Sequence, residues 1–257
     1  MKNREIYKVI FYLLSGFLIL FFSYPIAKLI YNAGLLNIFK TLLEKEVYSS
    51  IGLTFYISLY AVIITFITGI PLAYILARYN FWGKSFIEAV IDLPTMIPHT
   101  AAGIAILLAY NNTFLNNYFN ISIIDSRIGI MFAMMFLSSP YLINGAKEGF
   151  RKVDIKLENA ARTVGASWFS AFLRVVIPNA RHEIINGMLM MWARGIGEFG
   201  AIVIIAYHPM VAPVLIYDRF NNFGLQYSAP VAAAMILASL SIFIAVRTIN
   251  KKTNMDT

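Results

Sequence analysis

The sequence has no cysteine and few charged residues. Without cysteine, the chain can form no disulfide, no thiolate metal site and no cysteine nucleophile. Only 13% of its 257 residues are charged and 59% are hydrophobic, whereas soluble domains average about 25% charged and roughly 45–50% apolar residues. Both departures are typical of a chain that lies largely within a membrane.

Motifs for nucleotide binding and catalysis are missing as well. The phosphate-binding loop G-x-x-x-x-G-K-[ST] needs a glycine five residues before Gly83, and Arg78 stands there. The run Gly195–Gly200 matches G-x-G-x-x-G, but it follows no predicted strand and lies inside an apolar stretch. We therefore interpret it as close helix packing through small residues. The three histidines fit no metal site and no Ser-His-Asp set, so we expect a chain without enzyme activity, cofactor or metal.

Six apolar stretches are each long enough to cross a bilayer, which takes about 20 residues. They run roughly over residues 9–31, 51–77, 87–110, 128–146, 184–207 and 229–247. The first exceeds the length of a signal-peptide core and precedes no small-residue cleavage site, so we expect an uncleaved span. The predicted fold class is all-α integral membrane, with six transmembrane helices.

The distribution of Lys and Arg predicts the orientation of these helices. With the N-terminus inside, fifteen of the 21 basic residues fall on inner segments, five on outer segments, and Arg194 within a span. Basic residues accumulate on the cytoplasmic side of membrane proteins, so we expect a multi-pass membrane protein with both termini in the cytoplasm. The net charge of +8 is then explained by topology and contacts with anionic lipid, without nucleic acid.

The inner segment between the fourth and fifth stretches, residues 147–183, is long and patterned. Asp154 is a good helix N-cap, and Gly165 allows a sharp bend. Between them, four residues share one helical face: Leu157, Ala160, Ala161 and Val164. Ser167 can cap a second short helix, whose apolar side is Trp168, Phe169, Phe172, Leu173 and Val176, and Pro178 is expected to end it. Spacing alone leaves open an amphipathic pair that lies on the membrane without a partner.

This segment resembles the E-A-A-x-x-x-G loop of ABC importer permeases, through the run Glu158-Asn159-Ala160-Ala161-Arg162-Thr163-Val164-Gly165. The run Val175-Val176-Ile177-Pro178 stands where that family has an I-x-L-P-like ending. The triplet departs from the family at Asn159, which replaces its glutamate, while Glu158 precedes it. The resemblance implies the type I importer fold, with one transmembrane domain over residues 1–257. It also implies that residues 147–183 couple to an ATPase through Glu158, Asn159, Ala160, Ala161, Gly165, Ala166, Ile177 and Pro178.

The same resemblance implies partners. The family works as two copies around a twofold axis, with two ATP-binding subunits on the inner side and one substrate-binding protein outside. ATP would then be bound by the partner subunit and not by this chain. A homodimer, two ATP-binding ABC subunits, an extracellular oxyanion-binding protein and membrane lipid are therefore the expected partners, and nucleic acid is not.

Charged residues inside the predicted spans are further candidates, because such charges are costly and usually pair or face a cavity. Arg194 and Glu198 stand four residues apart on one helical face. They fit a neutralising pair that fixes helix packing, or an Arg194 that faces the path of an anion, and both alternatives stay open. Asp92 precedes Pro94 and Pro98; it fits a residue that caps or orients that proline-broken helix, with a substrate role as the alternative.

The fifth stretch and its exit resemble molybdate and tungstate permeases, especially those of archaeal type. The runs that carry this resemblance are Gly197–Ala201, Ile205–Met210, Pro213 with Leu215–Tyr217, and Gly69–Tyr74. Sulfate and thiosulfate permeases share much of it and are the alternative. A secondary transporter would be expected to show inverted repeats, and no clear repeat is found. A membrane-embedded enzyme would need a catalytic constellation that the sequence lacks.

Overall fold

The computed structural model describes residues 2–110 and 122–255, and every regular element within these two ranges is helical. Residues 111–121, which belong to the predicted outer connection, lie outside the described residues. In chain order the helices are α1 (Lys2–Ala33), α2 (Leu35–Leu42), α3 (Lys45–Arg78), α4 (Lys84–Asp92), α5 (His99–Tyr110), α6 (Arg127–Lys152), α7 (Ile155–Thr163), α8 (Trp168–Ala171), α9 (Ile177–Ile196), α10 (Ile202–Ile205), α11 (Ala212–Phe223) and α12 (Leu225–Met255).

Four helical stretches are long and apolar enough to cross a membrane: Tyr7–Ala33, Lys45–Arg78, Arg127–Lys152 and Leu225–Val246. They match the first, second, fourth and sixth predicted spans. The third predicted span is bent by 115° between Lys84–Thr95 and His99–Tyr110. Pro94 and Pro98 stand at this break, where a proline removes a helical hydrogen bond and its ring displaces the preceding turn.

The prediction that the fifth apolar stretch, residues 184–207, is one continuous helix is wrong. Helix α9 ends at Ile196, residues 197–201 form a turn, and the short helix α10 follows. The G-x-G-x-x-G run therefore lies across a helix end and not inside a helix. Gly200, the last residue of this run, does pack closely, since a Cβ there would lie 2.7 Å from the Cβ of His99. Counting the bent pair as one span, the described residues give up to five candidate spans by length and composition.

The expectation that Pro178 ends the second short helix is also wrong. A π-helical turn, Phe172–Val176, follows α8, and α9 begins directly at Ile177. Pro178 thus lies in the first turn of α9. The turn directly before it is π-helical and departs from regular α-helical hydrogen bonding, and a proline, which has no amide hydrogen, interrupts such bonding in any case.

The chain divides into two compact units, the first made of Met1–Ile51 and Leu215–Thr257. Within it, α1 and α2 contact α12. No residue in the most apolar window of α1 is buried, and large apolar side chains such as Phe11, Phe17 and Phe21 are exposed on it. A helix that is apolar all round is suited to a lipid environment.

The second unit, Gly52–Val214, contains a core in which α6 and α9 pack closely together. A Cβ added to Gly145 of α6 would lie 2.9 Å from the Cα of Gly187 on α9. Small residues at this point allow the two backbones to approach, as is common between membrane helices. Buried Leu142, Phe150 and Met191 fill the core beside this contact.

Candidate functional site

The predicted cap at Asp154 is present at the start of the 147–183 segment. Helix α6 ends at Lys152, the chain becomes extended at Val153, and α7 begins at Ile155. The Asp154 carboxylate accepts a hydrogen bond from the Lys156 amide at 2.9 Å. One otherwise unpaired amide of the first helical turn is thereby satisfied, so α7 starts at a fixed point close to the end of α6.

The predicted bend at Gly165 is also present. Gly165 has a φ of 94°, a conformation that residues with a Cβ rarely adopt. The Ala166 amide donates to the Ala161 carbonyl at 3.1 Å, which closes the end of α7. Ser167 then accepts from the Ser170 amide at 3.2 Å and begins α8. Two short helices thus meet at a turn, as the sequence predicted.

The predicted apolar face of α7 is not covered by the rest of the chain. Val164 is 86% exposed, and Leu157 is also exposed. None of the other candidate residues of the coupling loop, apart from Glu158, is fully buried. Asn159, Ala160, Gly165 and Pro178 are exposed, while Ala161, Ala166 and Ile177 are half-buried. An apolar helix face of this kind is available to a partner or to a membrane surface.

Glu158 points the other way, into the protein, and is 5% exposed. Its Oε1 accepts a hydrogen bond from the Tyr74 hydroxyl at 2.5 Å, and its Oε2 lies 3.7 Å from Arg78 Nε. Arg78 Nη1 donates to the Val153 carbonyl at 2.9 Å. We call Tyr74, Arg78 and Glu158 the Glu158 cluster. It connects the C-terminal end of α3 to α7.

Ion pairs hold both ends of the 147–183 segment. Lys147 on α6, which is buried, pairs with Glu88 on α4 at 3.1 Å. Lys152 at the end of α6 pairs with Glu183 on α9 at 2.6 Å. These contacts fix the helices from which the segment leaves and to which it returns, so its two ends have a defined separation.

Arg194 and Glu198 are brought together with His99 of α5. Arg194 Nη1 lies 3.1 Å from Glu198 Oε2, and His99 Nδ1 lies 3.2 Å from the same oxygen. Arg194 Nη2 is 2.6 Å from His99 Nε2. The other Glu198 oxygen accepts from the Ala201 amide at 3.1 Å. The carboxylate is therefore shared between two side chains and the turn that separates α9 from α10.

The exposure of these three side chains differs. Glu198 is 1% exposed, while the Arg194 and His99 side chains are 26% and 38% exposed. The buried carboxylate therefore lies behind a partly open surface formed by a guanidinium and an imidazole. This geometry fits the expected neutralising pair, and it also leaves one face of Arg194 accessible to an anion.

Of the two structural roles expected for Asp92, the structure shows an orienting contact between helices and not a cap. Its side chain makes no capping bond to the turn at Leu93–Thr95. Instead, Asn144 Nδ2 on α6 donates to Asp92 Oδ1 at 2.6 Å. The residue therefore connects the end of α4, just before the proline break, to the middle of α6.

A cavity of about 380 Å³ lies between α3, α5 and α6. Its lining is mostly apolar, with hydroxyls from Thr65, Thr68, Tyr110 and Ser139, and contains no charged side chain among the described residues. An oxyanion would find no charged partner there. The described residues also contain no group of three or more His, Cys, Asp or Glu placed to hold a metal ion.

In the first unit, Arg219 bridges two carboxylates. Its Nη2 lies 2.6 Å from Glu44 and 2.9 Å from Glu46. Burial alone would lower the pKa of Arg219, but hydrogen bonds to the two carboxylates outweigh it and raise the pKa above its usual value. The cluster ties α11 to the start of α3.

Sequence reasoning missed several of these side chains. Tyr74 was seen only as part of the resembling run Gly69–Tyr74, and Arg78 only as a residue that excludes a phosphate-binding loop, although their spacing of four places them on one helical face. His99 was considered only as one of three histidines that fit no metal or catalytic site, and Asn144 was not considered. Their partners lie 52 to 95 residues away in the chain, so only the fold brings them together.

Comparison with known proteins places these features in a family. Residues 69–255 match the family described as binding-protein-dependent transport system inner membrane component. A protein named molybdate/tungstate transport system permease protein WtpB, from Pyrococcus furiosus, is 40% identical over 96% of both chains. The protein of the same name from Methanocaldococcus jannaschii is 41% identical over 89% of this chain and 90% of that one. A probable sulfate transport system permease protein cysT, from Nephroselmis olivacea, is 30% identical over 77% and 72%.

Solved structures with the same fold are also transporters. A bacterial ABC transporter that imports the acidic polysaccharide alginate contains a chain with a TM-score of 0.74 and 17% identity, covering 97% of this chain and 96% of that one. The MetNI methionine ABC transporter, in an inward-facing conformation, contains a chain with a TM-score of 0.61 and 13% identity, covering 80% and 94%. At these identities the likeness concerns the fold.

Proposed function

Because the chain belongs to the family of binding-protein-dependent transport system inner membrane components, we propose that it is the membrane-spanning permease subunit of an ATP-driven importer for molybdate and tungstate. The observation that carries this proposal is the likeness, at 40% identity over nearly the whole chain, to an archaeal permease named for these two anions. The likeness covers 96% of each chain, so it extends over the predicted spans and the 147–183 segment.

The 147–183 segment is proposed to couple the permease to its ATPase. Its α7 presents an apolar, partly small-residue face that the chain itself leaves exposed, and a fixed cap and bend give that face a defined shape. Asn159, Ala160, Ala161, Gly165, Ala166, Ile177 and Pro178 would form or shape this docking surface. Closure of the ATPase on ATP would move the segment and switch the permease between inward- and outward-facing states.

The proposed assembly contains two copies of this chain, two ATP-binding subunits and one oxyanion-binding protein outside. The cavity within one chain lacks charged groups, which favours a translocation path formed between two copies. A twofold homodimer is also the commonest symmetric assembly. ATP hydrolysis would take place in the partner subunits, and the basic inner segments would contact anionic lipid.

The proposed topology has six membrane passages with both termini in the cytoplasm of a prokaryotic cell. Besides the helices and the bent pair that are apolar enough to span, α9 with the turn and α10 would supply the remaining passage. The excess of Lys and Arg on the inner segments supports this orientation. The residues 147–183 then lie on the cytoplasmic side, where an ATPase can reach them.

Sulfate is the second candidate substrate, because a probable sulfate permease is 30% identical to this chain. Sulfate, molybdate and tungstate are all tetrahedral dianions, so one pathway can pass each of them. A pathway that bound a dianion tightly would also slow its release, since conduction requires weak binding. Selectivity is therefore expected mainly in the binding protein.

The test is ATP hydrolysis by the complex reconstituted from this chain, its ATPase and its binding protein. Binding protein loaded with tungstate or molybdate should stimulate hydrolysis, whereas unloaded binding protein or sulfate at the same concentration should do little. Equal or greater stimulation by sulfate would assign the chain to the sulfate permeases. Absence of stimulation by any oxyanion would refute the substrate class.

A further inference from the structure

The inference concerns Glu158, whose side chain does not lie on the docking surface proposed above. Its neighbour Asn159 is exposed, while Glu158 is buried against α3. A partner that covers the exposed face of α7 therefore cannot reach this carboxylate without first breaking its contact with Tyr74. The side chain must act within the permease.

The Glu158 cluster joins three parts of the second unit at one aromatic ring. Tyr74 of α3 has its ring centroid 5.6 Å from that of Phe150 on α6, and 5.6 Å and 4.9 Å from those of Trp168 and Phe172 in the second part of the 147–183 segment. Its hydroxyl reaches Glu158 on α7. A displacement of α7 or α8 therefore acts directly on the end of α3.

The polar contacts of the cluster are incomplete. Arg78 Nε and Nη2 and Glu158 Oε2 are buried without a hydrogen-bond partner, at an Arg78–Glu158 distance of 3.7 Å. Burying charged groups in this way costs stability, and apolar residues of similar size often stabilise a fold as well or better. Stability alone therefore does not account for a carboxylate, a guanidinium and a hydroxyl at this point.

We propose that Tyr74, Arg78 and Glu158 are positioning residues that transmit movement of the 147–183 segment to α3. Helices α6 and α9 are continuous with the segment and follow it through the chain itself. Helix α3 is not continuous with the segment. The Glu158 cluster therefore supplies a noncovalent connection between α3 and α7. The inference rests on the proposed function, because it assumes that the segment is moved by an ATPase.

The experiment uses the complete transporter and the variant Tyr74→Phe, which removes the hydroxyl and keeps the ring. Tyr79→Phe, at a half-exposed tyrosine just after α3, is the matched control. Three quantities are measured: co-purification of the ATPase, the melting temperature, and the number of ATP molecules hydrolysed per anion imported. A hydrogen bond to a charged group is strong enough that its loss changes an equilibrium by roughly tenfold or more.

For Tyr74→Phe we expect normal co-purification of the ATPase and a lower melting temperature, because the buried Glu158 carboxylate loses its hydrogen-bond donor. ATP consumed per imported anion should rise roughly tenfold. The paired replacement Arg78→Met with Glu158→Leu should keep assembly and stability but show the same uncoupling. Glu158→Gln, which still accepts from Tyr74, should lie closer to the parent chain.

Three results would overturn the inference or its premise. Normal coupling in both Tyr74→Phe and the paired replacement would remove the transmission role. Loss of ATPase co-purification in these variants would assign the cluster to the shape of the docking surface instead. If the parent chain itself recruits no ATPase, the proposed function fails, and this outcome is distinct because it does not depend on any variant.

A label on the turn after α3 gives an independent readout. Trp82 is fully exposed, and Trp82→Cys would carry a single fluorescent label because the chain has no other cysteine. In the parent background the label should respond when ATP is added to the complex. In the Tyr74→Phe background this response should be lost, and a response of unchanged size would contradict transmission through the cluster.

Discussion

Gly165 is the residue whose backbone decides the shape of the proposed coupling segment. Its φ of 94° is unfavourable for any residue with a Cβ, although a Cβ there would meet no atom within 4 Å. Gly165→Val should therefore impair ATPase docking and transport through backbone strain, with a cost of about 1–2 kcal/mol. Gly165→Asn, which tolerates the left-handed conformation, should retain most activity. ATP-driven uptake measures both.

Gly83 provides the matched control for this prediction. It has a φ of 87° with no atom within 4 Å of an added Cβ, but it lies in the turn before α4 and not in the 147–183 segment. Gly83→Val carries the same strain and should leave ATPase co-purification intact. Normal uptake by Gly165→Val would show that this bend is not part of the coupling element.

Variants of the Arg194–Glu198 pair distinguish the two roles that the sequence left open, a neutralising pair and a contact with the anion. Arg194→Ala leaves the buried Glu198 without its guanidinium partner, and truncating one member of a buried pair commonly costs about 3–5 kcal/mol. If pairing is the whole role, the double variant Arg194→Ala with Glu198→Ala should be better tolerated than either single change, in melting temperature and in transport, although the Ala201 amide loses its acceptor. If Arg194 also contacts the anion, stability should return while transport stays low.

His99 provides the control for this pair, because it contacts both side chains from another helix. His99→Gln preserves polar groups near Arg194 and should change stability less than either alanine variant. Transport close to that of the parent chain in both single alanine variants would contradict the pairing role and the anion-path role together.

At the scale of elements, the exposed face of α7 can be tested as the contact with the ATPase. Val164→Asp places a carboxylate in the middle of the proposed contact with the ATPase. An unpaired polar group in such a contact costs about 1–3 kcal/mol, so the affinity for the ATPase should fall roughly tenfold. Thr163→Asp makes a similar charge change on a different side of the same helix and should have little effect. Equal affinities for the two variants would place the docking surface elsewhere.

The elements that sequence reasoning predicted well are those with local signals. The caps at Asp154 and Ser167 and the bend at Gly165 depend on side chains and backbone within a few residues of each other. The long spans depend on continuous apolar runs, which are equally visible. Both kinds of signal are complete in a single stretch of sequence, so the structure agrees with them.

The elements that sequence reasoning predicted wrongly depend on contacts between residues far apart in the chain. The glycine run Gly195–Gly200 permits a helix end at Ile196, but the apolar run 184–207 around it favours one helix. The contacts at the break come from across the fold, since Glu198 accepts the Ala201 amide and shares its carboxylate with His99 of α5. Pro178 looked like a helix end because proline disfavours helix interiors, yet it stands in the first turn of α9. The inward side chain of Glu158 is determined by Tyr74, 84 residues away.

At the scale of the whole molecule, the chain has a first helix whose apolar side chains it leaves exposed and a second unit that contains the candidate site. Every contact used by the coupling proposal lies within Gly52–Val214. The family match begins at residue 69 and continues to residue 255, so α1 lies outside it. Changes to the exposed apolar surface of α1 are therefore expected to affect membrane insertion more than coupling.

The topology of the whole molecule is the final prediction, and the absence of native cysteine makes it direct to test. Single cysteines at Trp82 and Lys156 should react with a membrane-impermeant maleimide only after the membrane is opened, because both positions lie on predicted cytoplasmic segments. A cysteine at Gln226 should react in intact cells. All three side chains are exposed, so reactivity reports the side of the membrane and not burial. Labelling at Lys156 in intact cells would place α7 outside, beyond the reach of a cytoplasmic ATPase, and would refute the coupling proposal.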